Sequence, residues 1–282
     1  MTSPLSMTRL GDAHAARTLV LLHGILGSGG NLRGLGRRLL ETVPGCQVAL
    51  IDLPGHGDSA AASQTQGGPF TVARAARDVA TTLDAHGLTA DALIGHSFGG
   101  KVALKFAQLM PEGLRQVWAL DSPPGEQPTG HGGEVGHLLT ALEAVTREEP
   151  YPFPSREAML EALTARGTQE SIARWMTTNL RRDGASYRWA FDLPIIQELL
   201  RDYFREDMWP WLEARRAAPD VHLLYATQSD RYAPPDIARA EALPPAARVK
   251  LHALEGSGHW VHADNPEGLI QIMSGALTTH PA

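Results

Sequence analysis

The sequence predicts an α/β fold: a mainly parallel central sheet flanked by helices, with a helical segment inserted between two of its strands. Three observations predict it. Short apolar runs recur without strict alternation, the habit of parallel strands buried on both faces. Helix-period segments separate those runs, which implies right-handed crossovers within one sheet. The alternation then breaks between 123 and 210 and resumes at Val221.

The elements follow in order. The first run, Leu19–Leu22, stops at His23-Gly24. The second, Val48–Leu53, follows the turn at Pro44-Gly45 and begins just beyond Cys46. Thr71 caps a helix in which Val72, Ala75, Ala76, Val79 and Leu83 recur at helical spacing until Gly87. Ala92–Ile94 is a third strand. The helix after it carries Val102, Ala103, Phe106, Ala107 and Met110 on one face, and Pro111 ends it. Val117–Leu120 is a fourth strand. The stretch from Ser122 to His137 is rich in proline and glycine, and beyond it lie helical patterns with no clear strand. Ser155 caps a helix running to Leu163, with Ala158 at its third position. Ile172, Trp175, Met176 and Leu180 give a second stripe, and Ile195, Ile196, Leu199, Leu200 and Tyr203 a third. Val221–Tyr225 and Val249–Leu254 complete the sheet. Residues 1–122 and 211–282 therefore read as the core, and 123–210 as a helical cap inserted in it rather than an independent domain.

A chain of 282 residues buries a large core without disulfides or structural metals. Hydrophobic residues make up 43% and charged residues 20%, the composition of a soluble globular protein. A net charge of −6 with no long basic run points away from nucleic acid as a partner. No apolar run reaches membrane-spanning length, and no targeting segment is visible. The single cysteine, Cys46, rules out an intrachain disulfide and a thiolate-cluster metal site, and fits a reducing, cytoplasmic setting. Its flank reads as a turn leading into a strand, so it is expected to be a buried residue. The oligomeric state has no signature in the sequence.

The chemistry centres on Gly95-His96-Ser97-Phe98-Gly99, set between a strand and a helix. That context suits a nucleophile held on a tight, strained turn, with small neighbours at both glycine positions. A serine hydroxyl needs a base to take its proton. His259, in Gly258-His259-Trp260-Val261-His262, follows the last strand and lies at the carboxyl edge of the sheet, where open α/β sheets place ligands. His262 is its rival; His23 and His96 adjoin glycine turns and read as structural hydrogen-bonding residues. The acid that orients the base is one of two aspartates at strand ends, Asp121 or Asp230. An oxyanion hole requires two backbone amides: Phe98, after the serine, and Ile25 on the loop after the first strand, with Leu26 as the fallback. Trp175, Trp189, Phe191 and Tyr203 are candidate lining for a substrate pocket in the cap.

Taken together, His23-Gly24-Ile25-Leu26-Gly27-Ser28, Asp52-Leu53-Pro54-Gly55-His56-Gly57-Asp58-Ser59, the Ser97 motif with Lys101 after it, and Gly258-His259-Trp260-Val261-His262-Ala263 resemble the α/β-hydrolase superfamily. More narrowly, Asp121-Ser122-Pro123 and Arg188-Trp189-Ala190-Phe191-Asp192-Leu193-Pro194 resemble the YbfF-type bacterial esterases and their eukaryotic mitochondrial relatives. The likeness runs from about Val20 to Leu269 and is weakest over 123–170. It implies a serine esterase or thioesterase for small acyl groups that uses no cofactor and no metal. It also favours Asp121, because relatives carry an aspartate there with a proline close behind. Two departures stand out: Asp230 supplies an acid where many other α/β-hydrolases keep theirs, and Phe98 replaces the usual methionine, narrowing the acyl pocket. Dehalogenases and epoxide hydrolases of this fold need an aspartate where Ser97 stands. A carbon–carbon bond hydrolase, a cofactor-free haloperoxidase and a non-catalytic small-molecule receptor share the remaining motifs.

Overall fold

The structure, a computed structural model, describes residues 3–127, 134–148 and 150–278. The described residues form nine strands and twelve α-helices. The core opens with β1 (Met7–Gly11), β2 (Arg17–Leu22), α1 (Arg33–Thr42), β3 (Cys46–Ile51), α2 (Ala60–Gln64), α3 (Val72–Ala85), β4 (Ala92–His96), α4 (Phe98–Leu109) and β5 (Gln116–Leu120). The inserted stretch holds α5 (Glu134–Glu148), α6 (Arg156–Thr164), α7 (Glu170–Met176), β6 (Leu180–Asp183), β7 (Ser186–Trp189), α8 (Leu193–Arg205) and α9 (Trp209–Ala214). The core resumes with β8 (Asp220–Ala226), α10 (Pro234–Glu241), β9 (Val249–Leu254), α11 (Val261–Asp264) and α12 (Pro266–Thr278).

Seven strands form one sheet in the order β1-β3-β2-β4-β5-β8-β9. All neighbours are parallel except the β1–β3 pair. The six expected apolar runs are the six parallel strands. Alternation along them divides the core in two. Val20, Leu22, Leu93 and Val117 face one way, towards α3 and α4; Leu19, Leu21, Ile94 and Trp118 face the other, towards α1 and α12. Burial on both faces is why β2 to β5 read as continuous apolar runs; β9, at the sheet edge, is only partly buried. Cys46 is buried at the start of β3.

Thr71 and Ser155 cap α3 and α6 as expected, their hydroxyls accepting from the amides of Arg74 and Ala158 at 3.0 Å. Two expectations fail. The inserted stretch contains strands, the β6–β7 hairpin, whose polar sequence, LRRD and SYRW, carries no apolar run. The stripe that included Leu180 is not one helix, because α7 stops at Met176 and Leu180 opens β6. Thr177 and Thr178 turn their hydroxyls back onto the carbonyls of Arg174 and Trp175, at 2.6 and 2.7 Å, in competition with the helical backbone. Asn179 then leaves the helix line to donate to the Leu26 carbonyl, at 2.8 Å.

One core side chain gathers both ends of the inserted stretch. Lys101, on α4, is fully buried. Its Nζ donates to the carbonyls of Gly125, Tyr203 and Glu206 at 2.7, 2.9 and 3.0 Å and lies 4.3 Å from the centre of the Tyr203 ring. Gly125 follows β5, whereas Tyr203 and Glu206 close α8, so both ends of the stretch meet at this ammonium. Burial lowers its pKa to about 8, and the charge on Glu206 is the largest influence working against that fall.

Candidate active site

Ser97 stands where β4 turns into α4, with φ 53° and ψ −119°. That conformation costs a non-glycine residue about 1–3 kcal/mol, and its surroundings hold it in place. The Ser97 amide donates to the Leu120 carbonyl of β5 at 2.9 Å. The flanking glycines are a steric requirement. A Cβ on Gly95 would meet the Gly99 carbonyl oxygen at 2.0 Å, and one on Gly99 would meet the Leu22 carbonyl oxygen at 2.5 Å.

His259 reaches Ser97 from the loop after β9, its Nε2 3.1 Å from the Ser97 Oγ. Its Nδ1 lies 2.7 Å from Asp121 Oδ2. A carboxylate at Nδ1 fixes the proton there and leaves Nε2 as the acceptor of the serine hydroxyl. Asp121 directly follows β5, is buried, and also accepts from the Ala226 amide at 3.2 Å and the Ser229 hydroxyl at 2.6 Å. Asp230 does not join this group. Its side chain is 94% exposed and faces only Arg231, at 3.6 Å, among the described residues.

Three further histidines lie around the site; His23 and His56 have both ring nitrogens committed and His96 one. His96 donates from Nε2 to the His259 carbonyl at 2.8 Å, which holds the loop of the base against β4. His23 donates from Nδ1 to the Gly24 carbonyl at 2.8 Å and accepts at Nε2 from the Leu53 amide at 2.9 Å. His56 donates to the Pro54 carbonyl at 2.8 Å and accepts from the Leu26 amide at 3.0 Å. Burial holds these rings neutral: His23 falls to about 4, His56 to about 3, and His96 well below the ordinary imidazole value. His262, the rival base, packs edge-on against His96 at 5.1 Å, and burial lowers it to about 4.

The His56 contact bears on the oxyanion assignment. It occupies the Leu26 amide, which removes the fallback donor. The Ile25 amide has no acceptor among the described residues, and Phe98 begins α4, where a backbone N–H has no partner within the helix. Both residues line the cavity that holds Ser97.

Comparison with known proteins agrees with this architecture. A family model for the alpha/beta hydrolase fold matches residues 17–266. The chain belongs to the α/β-hydrolase family. Among curated proteins it is 30% identical over 256 residues to the sn-1-specific diacylglycerol lipase ABHD11 of Xenopus laevis, covering 90% of this chain and 78% of that one. It is 24% identical to the esterase YbfF of Escherichia coli strain K12, covering 93% of each. Among solved structures, a marine microorganism esterase superposes with a TM-score of 0.79 at 23% identity, over 95% of this chain and 97% of that one. These relatives make the chain a carboxylesterase-type hydrolase.

The hydrolase has a cavity of about 240 Å³ above Ser97. Trp175 and Tyr203 line it, as expected; Trp189 and Phe191 do not. Those two stack on each other at 5.0 Å, and Trp189 packs against Phe153 at 5.1 Å while donating to Thr146 Oγ1 at 3.0 Å. They fill the inserted stretch itself. Ile172, Leu138, Leu200 and Phe204 complete an apolar wall, and Trp260, 4.7 Å from Trp175, joins it from the loop of the base. Sequence reasoning missed Ser229 and Arg231. Their signal was position: both stand one residue from Asp230, on a loop already singled out for its acid. Among the described residues no three His, Cys, Asp or Glu side chains are grouped to hold a metal ion, and no helix is long and apolar enough to cross a membrane.

Proposed function

We propose that the protein is a serine esterase for small acyl esters or thioesters, working through an acyl-enzyme intermediate. The observation that carries this reading is the unbroken hydrogen-bonded line from Ser97 through His259 to Asp121, opening into an apolar cavity. Ser97 Oγ attacks the acyl carbon as His259 takes its proton, and Asp121 stabilises the imidazolium. The Ile25 and Phe98 amides hold the developing oxyanion. His259 then gives the proton to the departing alcohol or thiol, leaving the acyl group on Ser97. Water, deprotonated by His259, attacks the acyl carbon and releases the acid, and the proton returns to Ser97. No cofactor enters these steps.

The stretch 123–210 acts as the cap that shapes the substrate pocket. A cavity of about 240 Å³ lies below the usual range for drug-sized ligands, which supports a small acyl group. A single buried thiol, Cys46, supports a cytoplasmic setting. The test is hydrolysis of p-nitrophenyl and thioester series of increasing acyl length by wild type and Ser97→Ala, beside labelling with a fluorophosphonate. Short esters should turn over, Ser97→Ala should lose several orders of magnitude in kcat with its fold intact, and the probe should label Ser97 alone. Turnover that survives Ser97→Ala ends the reading.

A further inference from the structure

Arg231, on the loop between β8 and α10, lines the cavity beside His96, Tyr203 and His259. It is the only Arg or Lys among the residues lining that cavity, and no Asp or Glu accompanies it. Its Nε is buried and has no hydrogen-bond acceptor among the described residues. Asp230 Oδ1 lies 3.6 Å from that nitrogen, beyond hydrogen-bonding reach, on a side chain 94% exposed. An ion pair so open to water contributes little, and the Arg231 side chain is itself 31% exposed. The position of Arg231 is nevertheless fixed. Its amide donates to Ser229 Oγ at 3.2 Å, and Ser229 donates in turn to the Asp121 carboxylate that faces His259.

We infer that Arg231 is a substrate-binding residue and that the ester cleaved at Ser97 carries a carboxylate, which the Arg231 guanidinium holds in the cavity. This rests on the serine-esterase reading above. A guanidinium is the side chain best matched to a carboxylate, which it grips with two parallel hydrogen bonds. A neutral ester would leave its buried N–H without a partner, at a cost. A phosphate dianion fits less well, because the cavity wall offers it one cation and no second. The carboxylate belongs either to the acyl half or to the departing alcohol, and matched esters separate the two.

The experiment measures acid release in a pH-stat from two pairs: monomethyl glutarate with methyl butyrate, and O-acetylglycolate with ethyl acetate. Wild type is compared with Arg231→Gln and Arg231→Lys. In one pair, wild type should favour the charged ester. Arg231→Gln should lower that charged-to-neutral ratio of kcat/KM by about 10- to 100-fold, the worth of a hydrogen bond to a charged group, mainly through KM. Arg231→Lys should keep part of the preference. Free glutarate should compete with methyl butyrate on wild type, a readout that needs no variant. Ratios in both pairs within about twofold of wild type in Arg231→Gln, with Ser97 still labelled by a fluorophosphonate, overturn the inference alone. Wild type that neither labels at Ser97 nor hydrolyses any of the four esters overturns the esterase reading and the inference with it.

Discussion

Lowering the pH from 7.5 to 5 is expected to remove about 6 kcal/mol of this protein's stability, and the structure sets the size of the loss. His23 and His56 each donate through one ring nitrogen and accept through the other. Protonating the accepting nitrogen would set two N–H groups face to face in a buried site. Both rings therefore stay neutral when folded, down to about 4 for His23 and about 3 for His56, and buried His262 behaves like His23 at about 4. The unfolded rings take a proton near 6.5. These depressed values make the stabilisation fully present above about 6.5 and lost as the pH falls towards 4, because in that window the unfolded chain binds the extra protons. At pH 5 each ring has lost about 2 kcal/mol and the three together about 6 kcal/mol, against a typical total stability of about 5–15 kcal/mol. His96 acts in the same direction. Urea unfolding followed by tryptophan fluorescence at steps between pH 7.5 and 5 measures this directly. A midpoint unchanged over that range, or imidazole resonances of His23 and His56 titrating near 6.5 in the folded protein, would refute the reasoning.

Three further outcomes follow from single side chains. Asp121→Asn should lower kcat on a short p-nitrophenyl ester by about 10²- to 10⁴-fold through loss of the correct His259 tautomer, while exposed Asp230→Asn stays within about threefold; comparable losses would return the acid to an open choice. Gly99→Ala should destabilise by about 3 kcal/mol or more, its Cβ meeting backbone at 2.5 Å, whereas Gly34→Ala, with nothing within 4 Å, should match wild type or gain up to about 1 kcal/mol in chemical denaturation. Lys101→Met should cost about 2–5 kcal/mol by leaving three carbonyls, two of them buried, without their donor, and hydrogen exchange should quicken at the end of α8; an unchanged denaturation midpoint would show that the contacts contribute nothing.

The sequence was legible where one physical demand dominates. Parallel strands buried on both faces must be apolar, so β2 to β5 could be read directly, while β8 and the edge strand β9 kept enough apolar residues to show. The strained turn at Ser97 admits only small neighbours, which made Gly95-His96-Ser97-Phe98-Gly99 specific. Elements whose residues answer to two environments were less legible. β1 (MTRLG) is an edge strand with half-exposed and exposed residues, and the β6–β7 hairpin is largely polar, so neither carries an apolar run. Asp121 and Asp230 both follow strands, and only the direction of each side chain separates them. Trp189 and Phe191 failed as pocket residues for the same reason: an aromatic residue announces burial but not which space it fills.

The knot at Lys101 restricts how the molecule can breathe. Because one ammonium holds the outgoing and returning chain against the helix that begins at Phe98, the lobe is pinned at its root as well as at Asn179 and Arg181, which bind the core loops at Leu26 and Asp58. A chimaera that exchanges this lobe for a foreign one inherits the same anchor point. It will seat squarely over the serine only if three main-chain oxygens arrive where that lysine expects them.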